Sequence, residues 1–327
     1  MLLITRLGLV GLIGISVLAI IGRVWLGSIK TQPVAVQSLD VSVGSTASEV
    51  LAELNPQLTS RARAFVFSLY PQLSYVQHGR YVFSPGTTAL AALAKIHKGD
   101  VVVERLTIPE GITARDLFDR LSDHEALGGQ VSLVKGVWRY LSTDWSAHEG
   151  VFLAETYMWQ QKMSKDALLK QAHESLLLAL NEAWEGSDPM VRSILSSPYE
   201  LLILASIVEK ETALAQERPR IAGVFLERLK RQMRLQTDPT VIYGLGDRFD
   251  GNLTRKNLRE KTAYNTYWID GLPPTPIAIV GPEALVAVAH PNMTGELYFV
   301  ADGSGGHVFS RTLEAHNENV RKYQLKR

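Results

Sequence analysis

The run Leu201-Leu202-Ile203-Leu204-Ala205-Ser206-Ile207-Val208-Glu209-Lys210-Glu211-Thr212 constrains the fold more than any other segment. Ser197, Pro198 and Glu200 lie just upstream and supply an N-cap, a first-turn proline and a capping-box acid. The spacing predicts a helix running to about Thr212. Leu201, Leu204 and Val208 form one stripe, and Glu211 continues it at the next helical step. A carboxyl held against apolar neighbours has its charged form disfavoured, so its pKa rises. A general acid working near neutral pH needs that shift. Glu209 falls about 200° round the helix, beside Leu202 and Ser206, on what should be a more solvated face. Helix geometry alone leaves a bland alternative open for Glu211, a solvated glutamate closing a core helix, because charged residues are rarely buried.

At 327 residues the chain is long enough for roughly two domains. Lys plus Arg is 34 against 33 for Asp plus Glu, a formal net charge of +1. Such a balance provides no basic field for nucleic acid and no acidic block for a polycation. The absence of cysteine excludes disulfide frameworks, thiolate zinc sites and cysteine nucleophiles, and is compatible with an oxidising compartment.

Between Arg6 and Arg23 lie sixteen uncharged residues, Leu7 to Gly22. With their apolar flanks, and with the arginines snorkelling, they can span a bilayer core of about 30 Å. A cleaved signal peptide would need a small-residue cleavage site, which Ile20-Ile21-Gly22-Arg23-Val24-Trp25 does not offer, and Trp25 suits an interfacial belt. Residues 1–29 therefore read as a short tip and an uncleaved transmembrane signal anchor, and residues 30–38 as a linker. Charge counting leaves the orientation open.

A weak internal repeat follows. Gly44-Ser45-Thr46-Ala47, Gly86-Thr87-Thr88-Ala89 and Gly111-Ile112-Thr113-Ala114 each follow an alternating run and lead into a short amphipathic stretch. The shared unit is strand, glycine turn, threonine N-cap, helix. It serves equally as plain strand-to-helix punctuation and as a ligand-binding element. From Leu121 to Ser196 the pattern is mainly helical, clearest over Ser164 to Trp184, where Leu168, Leu169, Ala172, Leu176 and Leu180 share a face. Pro219 opens a further helix carrying Ile221, Val224, Phe225, Leu226 and Leu229. Beyond Gln232 the chain is rich in loops, where binding residues concentrate. A strand, Leu297 to Val300, and a polar helix from about Thr312 end it.

A two-carboxylate glycosidase needs a second acid, for which Glu149, Glu155 and Asp238 are available, although Asp238 before Pro239 also reads as a turn. Tyr264-Asn265-Thr266-Tyr267 and the proline-rich Gly271 to Pro276 offer aromatic faces and amides suited to sugar rings, or simply a packed loop. His290, His307 and His316 lack the i, i+4 pairing of a helical metal site. Gly303-Ser304-Gly305-Gly306 lacks a P-loop frame, and no serine sits in a Gly-x-Ser-x-Gly elbow.

Several blocks together resemble the endolytic murein transglycosylases (the MltG or YceG-like family). They are Ala205 to Thr212, Glu217-Arg218, Val224-Phe225 with Arg228-Leu229, and Met233 to Gly244. Tyr264 to Tyr267, Gly271 to Pro274, Tyr298 to Gly303, His307, Phe309, His316 and Asn317 complete the match. The resemblance implies an α+β protein: a transmembrane helix, a LysM-like β/α module at 39–125 and a mixed α+β catalytic domain at 126–327. It implies a single-pass inner-membrane protein with its bulk in the periplasm, acting on peptidoglycan glycan strands beside peptidoglycan synthases, without cofactor or metal. The family cleaves the MurNAc–GlcNAc β-1,4 bond within strands and leaves 1,6-anhydro-MurNAc ends. Its catalytic acid, the second of Glu-Lys-Glu-Thr, falls on Glu211, the residue the stripe also selects. Glu211 would act alone, as acid and then as base, because the attacking hydroxyl belongs to the substrate. Glu217, Gln236, Thr237, Asp238, Tyr243, Tyr264, Asn265 and Tyr267 are the expected groove residues. The chain departs from the family pattern at Ala154 and Val280, where proline is usual, and at Thr275, where glycine is. Rival readings are a hydrolytic muramidase using the same glutamate and a non-catalytic wall-binding scaffold.

Overall fold

A computed structural model describes residues 2–122, 124, 127–128, 149–160 and 163–324 of the chain, with the side chains of 2–15 and 18 left out. Two compact units emerge, residues 1–105 with 158–162, and residues 106–157 with 163–327.

The first unit runs α1 (Leu2–Thr31), β1 (Ser38–Val41), α2 (Ala47–Leu54), α3 (Ser60–Leu69), β2 (Gly79–Val82) and α4 (Ala89–Lys98). β1 and β2 pair antiparallel with Leu39 opposite Tyr81 and Val41 opposite Gly79. Period-two alternation sends Leu39, Val41, Tyr81 and Phe83 into a core completed by Val50, Leu51, Leu54, Val66, Leu93 and Ile96. The C-terminal end of α1 joins that core through Ile29, and Trp25 meets Phe65 edge-on at 6.0 Å between ring centroids. Among the described residues no helix is long and apolar enough to cross a membrane. Most of the expected anchor's side chains lie outside those residues.

The repeated punctuation forms as a structural device. Gly44, Gly86 and Gly111 have φ of 88°, 84° and 74°. This left-handed backbone favours glycine and turns each strand exit toward a helix start. Thr46 and Thr88 then cap α2 and α4, Thr46 in a full capping box with Glu49. At the third copy, β3 (Glu104–Thr107) precedes the turn, and Thr113 exchanges hydrogen bonds with Asp116 at the head of α5 (Ala114–Ser122).

In the second unit β4 (Leu127–Gly128) pairs in parallel with β6 (Met163–Ser164); between them in sequence lies β5 (Thr156–Trp159), whose last two residues belong to the first unit. The strand β5 interrupts the region expected to be mainly helical, of which residues 129–148 lie outside the described residues. There follow α6 (Lys165–Gly186), α7 (Pro189–Ile194), α8 (Pro198–Glu211), α9 (Arg218–Lys230), α10 (Asp238–Leu245), α11 (Arg255–Arg259) and α12 (Pro282–Ala289). A β7 (Tyr298–Ala301) and β8 (His307–Ser310) hairpin and α13 (Leu313–Tyr323) close the unit. Asp238 thus starts a helix rather than a simple turn. α6 starts at its Ser164 cap and buries all five of the leucines and alanine expected on one face.

α8 is the centre of this unit, packed by α6, α9 and α12. Ser197 caps it as expected, whereas Glu200 accepts from the N–H of Ser196, one residue beyond the expected reciprocal partner. Every residue from Leu201 to Glu209 is buried. The helix is enclosed all round, as a helix apolar on every side must be. The expectation of a solvated face at Leu202, Ser206 and Glu209 is therefore overturned. Ser206 donates to Ile203 O and accepts from the Ile277 N–H at 2.9 Å, and Glu209 is itself buried.

Two of the three departures meet. Ala154 N–H donates to Val280 O at 2.8 Å, a bond that proline at 154 could not make. Thr275 bonds through its hydroxyl with Tyr264 and Pro276 O.

Candidate functional site

Glu211 is the last residue of α8, where helix carbonyls converge and disfavour a nearby negative charge. Its carboxylate accepts a hydrogen bond from the hydroxyl of Thr237. Burial pushes the Glu211 carboxyl up to about 7; the like charge of Asp238 adds to this, while the Thr237 bond, His307 and Arg228 pull the other way. At neutral pH this group divides between its acid and its base form, the condition for giving and then taking a proton.

Thr237 is held by a buried hydroxyl network. Its N–H donates to Thr266 Oγ1 at 3.0 Å, and Thr240 Oγ1 donates to Thr237 O at 2.8 Å. Immediately before it, Gln236 adopts φ of 50°, a left-handed conformation uncommon outside glycine. Buried Arg228 braces this bend from beneath, donating to Leu235 O at 2.9 Å and Arg234 O at 3.1 Å, and also to Leu297 O. The guanidinium therefore ties α9, the 234–237 loop and the approach to β7 together. Burial lowers its pKa.

These elements enclose a groove of about 540 Å³, lined by Glu211, Gln236, Thr237, Asp238 and Tyr267. Tyr298, His307, His316 and Asn317 line it as well. Tyr298 and His316 stack at 5.2 Å with their planes 22° apart, an amphipathic surface of the sort that accepts a sugar face. Asp238 accepts from the Tyr267 hydroxyl at 2.7 Å. His307 is set by Glu217, which accepts from its backbone N–H at 2.9 Å and meets its Nδ1 at 2.8 Å.

Of the residues expected in the groove, Gln236, Thr237, Asp238 and Tyr267 line it with Glu211, and Glu217 stands behind His307. Tyr243, Tyr264 and Asn265 do not line it. Tyr243 packs on Tyr264 at 4.9 Å and donates to Glu149. Asn265 is fully buried; its amide donates to Glu260 O at 2.7 Å and Leu258 O at 3.1 Å, and its Oδ1 accepts from the Tyr267 N–H. Asn265 thus shapes the loop that presents Tyr267. Among the candidate second acids, Asp238 shares the groove. Glu149 is occupied by the N–H groups of Ala114 and Gly150, and Glu155 is exposed outside the groove. Sequence reasoning missed Arg228, Tyr298, His307, His316 and Asn317 as groove residues. All five stood within the recognised blocks, but nothing in their spacing brings them to one place.

Glu209, on the other side of α8, is structural. Its side chain is 3% exposed and pairs with Arg218, itself 7% exposed, at 2.7 Å; Gly281 N–H donates to its second oxygen. Burial pushes its pKa up, against the pull of Gly281 and Arg218.

The structure therefore defines a mixed α+β protein whose central helix ends on one tuned acid in an aromatic-walled groove. The chain belongs to the YceG-like family, whose model matches residues 39–322. It is 37% identical over 175 residues to the endolytic murein transglycosylase of Bacillus subtilis strain 168, covering 54% of this chain and 48% of that protein. It is 26% identical over 296 residues to the Streptococcus pneumoniae D39 protein of the same name, covering 79% of this chain and 52% of the other. The chain spans about half the length of these curated relatives. A crystal structure of a YceG-like protein from Listeria monocytogenes shares the fold, with TM-score 0.54 and 27% identity over 86% of this chain and 97% of that one.

Proposed function

We propose that this chain is an endolytic peptidoglycan lytic transglycosylase acting through Glu211. It cuts the MurNAc–GlcNAc β-1,4 bond within nascent strands and so terminates their elongation. The observation that carries this reading is the Glu211 carboxyl, pushed up to about 7 at the end of a buried helix and facing a groove. The names of the relatives support it. Protonated Glu211 gives its proton to the glycosidic oxygen as the bond to C1 breaks. The resulting carboxylate then takes the proton of the MurNAc C6 hydroxyl, whose oxygen bonds to C1. The product is a 1,6-anhydro ring, no water is consumed, and Glu211 ends protonated as it began. Thr237 holds one carboxylate oxygen, which leaves the other to make both transfers.

Around this site we read residues 1–29 as a single-pass inner-membrane anchor with the remaining chain in the periplasm, close to peptidoglycan synthases. The strand-helix-helix-strand order of β1, α2, α3 and β2 supports a LysM-like, wall-binding first unit.

One observation favours a second reading, hydrolysis: Asp238 shares the groove and could orient a water, the arrangement of a two-carboxylate glycosidase. Mass analysis of digested wall glycan separates the two. Anhydro-MurNAc ends from the wild type, lost in Glu211→Gln, are the expected result. Reducing MurNAc ends would establish the muramidase. Undiminished digestion by Glu211→Gln would put the catalytic acid elsewhere, and no digestion by the wild type would leave only a wall-binding scaffold.

A further inference from the structure

Glu211 borders two cavities. Besides the aromatic-walled groove, a second concavity of about 550 Å³ is lined by Glu110, Gly111, Ile112, Lys210, Thr212 and Arg218 among others. Glu211 is the one residue common to the two linings. An acid that cuts inside a polymer needs room for chain on both sides of the bond it protonates. Each cavity has the volume of a site able to enclose a small-molecule-sized piece of ligand.

The second cavity is built on rigid parts. Its floor is the Glu209–Arg218 pair, with Arg218 also bonded to Glu110 at 2.8 Å and Glu283 at 3.3 Å. Buried Glu209 ties this cluster to the Gly281 N–H. One wall is the third glycine turn, whose Gly111 N–H donates to Ile279 O and whose Ile112 O accepts from the Ile279 N–H. Lys210 reaches across to that wall, its ammonium donating to Gly111 O at 2.9 Å. An ammonium carries three donors, so two remain for a ligand at the rim. The lining is polar and hydrogen-bonding where the first groove is aromatic. It fits a pyranose rimmed with hydroxyl and amide groups, and Ile112 offers an apolar surface for the ring.

Building on the function proposed above, we propose that the second cavity is the binding site for the glycan on the far side of the scissile bond. The strand passes from the Tyr298–His316 groove, over Glu211, into the cavity lined by Gly111, Ile112 and Lys210. The Glu209–Arg218–Glu110 cluster then has a functional place, fixing the floor on which that segment lies.

Two variants test this with purified uncrosslinked glycan strands. Ile112→Trp fills the cavity, and Lys210→Met keeps the side-chain stem but removes the ammonium. Neither position carries the reacting proton, so a loss of binding at this site reads as a raised KM with little change in kcat. The expected result is a KM raised about tenfold in Ile112→Trp and about threefold in Lys210→Met. The pH dependence of kcat should match the wild type, which reports an undisturbed Glu211. Unfolding midpoints near the wild-type value establish that both variants are folded. An unchanged KM in both folded variants overturns the second site. Wild type and Glu211→Gln run beside them: if the wild type yields no anhydro ends, the proposed reaction fails, whereas wild-type cleavage with unaltered KM in the variants defeats this inference alone.

Discussion

Replacing Glu211 by glutamine should make the protein more stable as it abolishes cleavage, and the gain should depend on pH. A carboxyl carried from its ordinary 4.5 to about 7 is a group whose ionised form the folded state resists. Below pH 4.5 it is protonated in folded and unfolded chains alike and costs nothing. Between 4.5 and about 7 the folded chain holds the proton that the unfolded chain has released, so stability falls as pH rises, and above about 7 the full cost is present. At about 1.4 kcal/mol per pH unit, the shift amounts to about 3 kcal/mol. Glutamine is nearly isosteric, still accepts from Thr237, and never ionises. Urea titrations of both proteins at about pH 4 and about pH 8.5 give the answer as a difference of differences, in which the titration of Glu209 largely cancels. The variant should equal the wild type at the acid end and exceed it by about 3 kcal/mol at the alkaline end. Equal stabilities at both pH values, or a variant less stable at the alkaline end, would refute the claim that burial tunes this acid.

Thr237→Val removes the hydroxyl that favours the charged form of Glu211. A hydrogen bond to a charged acceptor is worth about 1.5–3 kcal/mol, so the Glu211 pKa should climb by about one to two pH units. The alkaline limb of the kcat/KM profile on wall glycan should move up with it; a limb that stays or moves down contradicts the assignment. Asn265→Ala should cost about 1–3 kcal/mol in denaturant titrations, because its buried amide holds the carbonyls of Leu258 and Glu260. KM of the folded fraction should rise only as far as the Tyr267 loop is loosened, since Asn265 meets the groove solely by holding the Tyr267 N–H. A raised KM at unaltered stability would return it to the substrate.

Local chemistry was legible in the chain itself. Ser164, Ser197, Thr46, Thr88 and Thr312 announced helix starts because a side-chain oxygen caps a free N–H within three residues, a matter settled by neighbours alone. The apolar run of α8 guaranteed a buried helix, and its last turn singled out Glu211 as the acid to watch. Periodicity went wrong at Glu209. Nine successive buried residues leave a helix no outward face, so which side is solvated depends on what α6, α9 and α12 cover. The helix that selected Glu211 could not reveal what surrounds it. Thr237, Arg228 and His307 act on the acid from a loop, a second helix and a hairpin, and Tyr298 and His316 share its groove from the hairpin and the final helix. Only packing at long sequence separation supplies the desolvation that lifts Glu211 to about 7, the hydroxyl that holds it and the two cavities it borders. The sequence marked Glu211 as a candidate, and only the tertiary structure raises its pKa toward neutral, because desolvation and hydrogen bonding arise from neighbours in space.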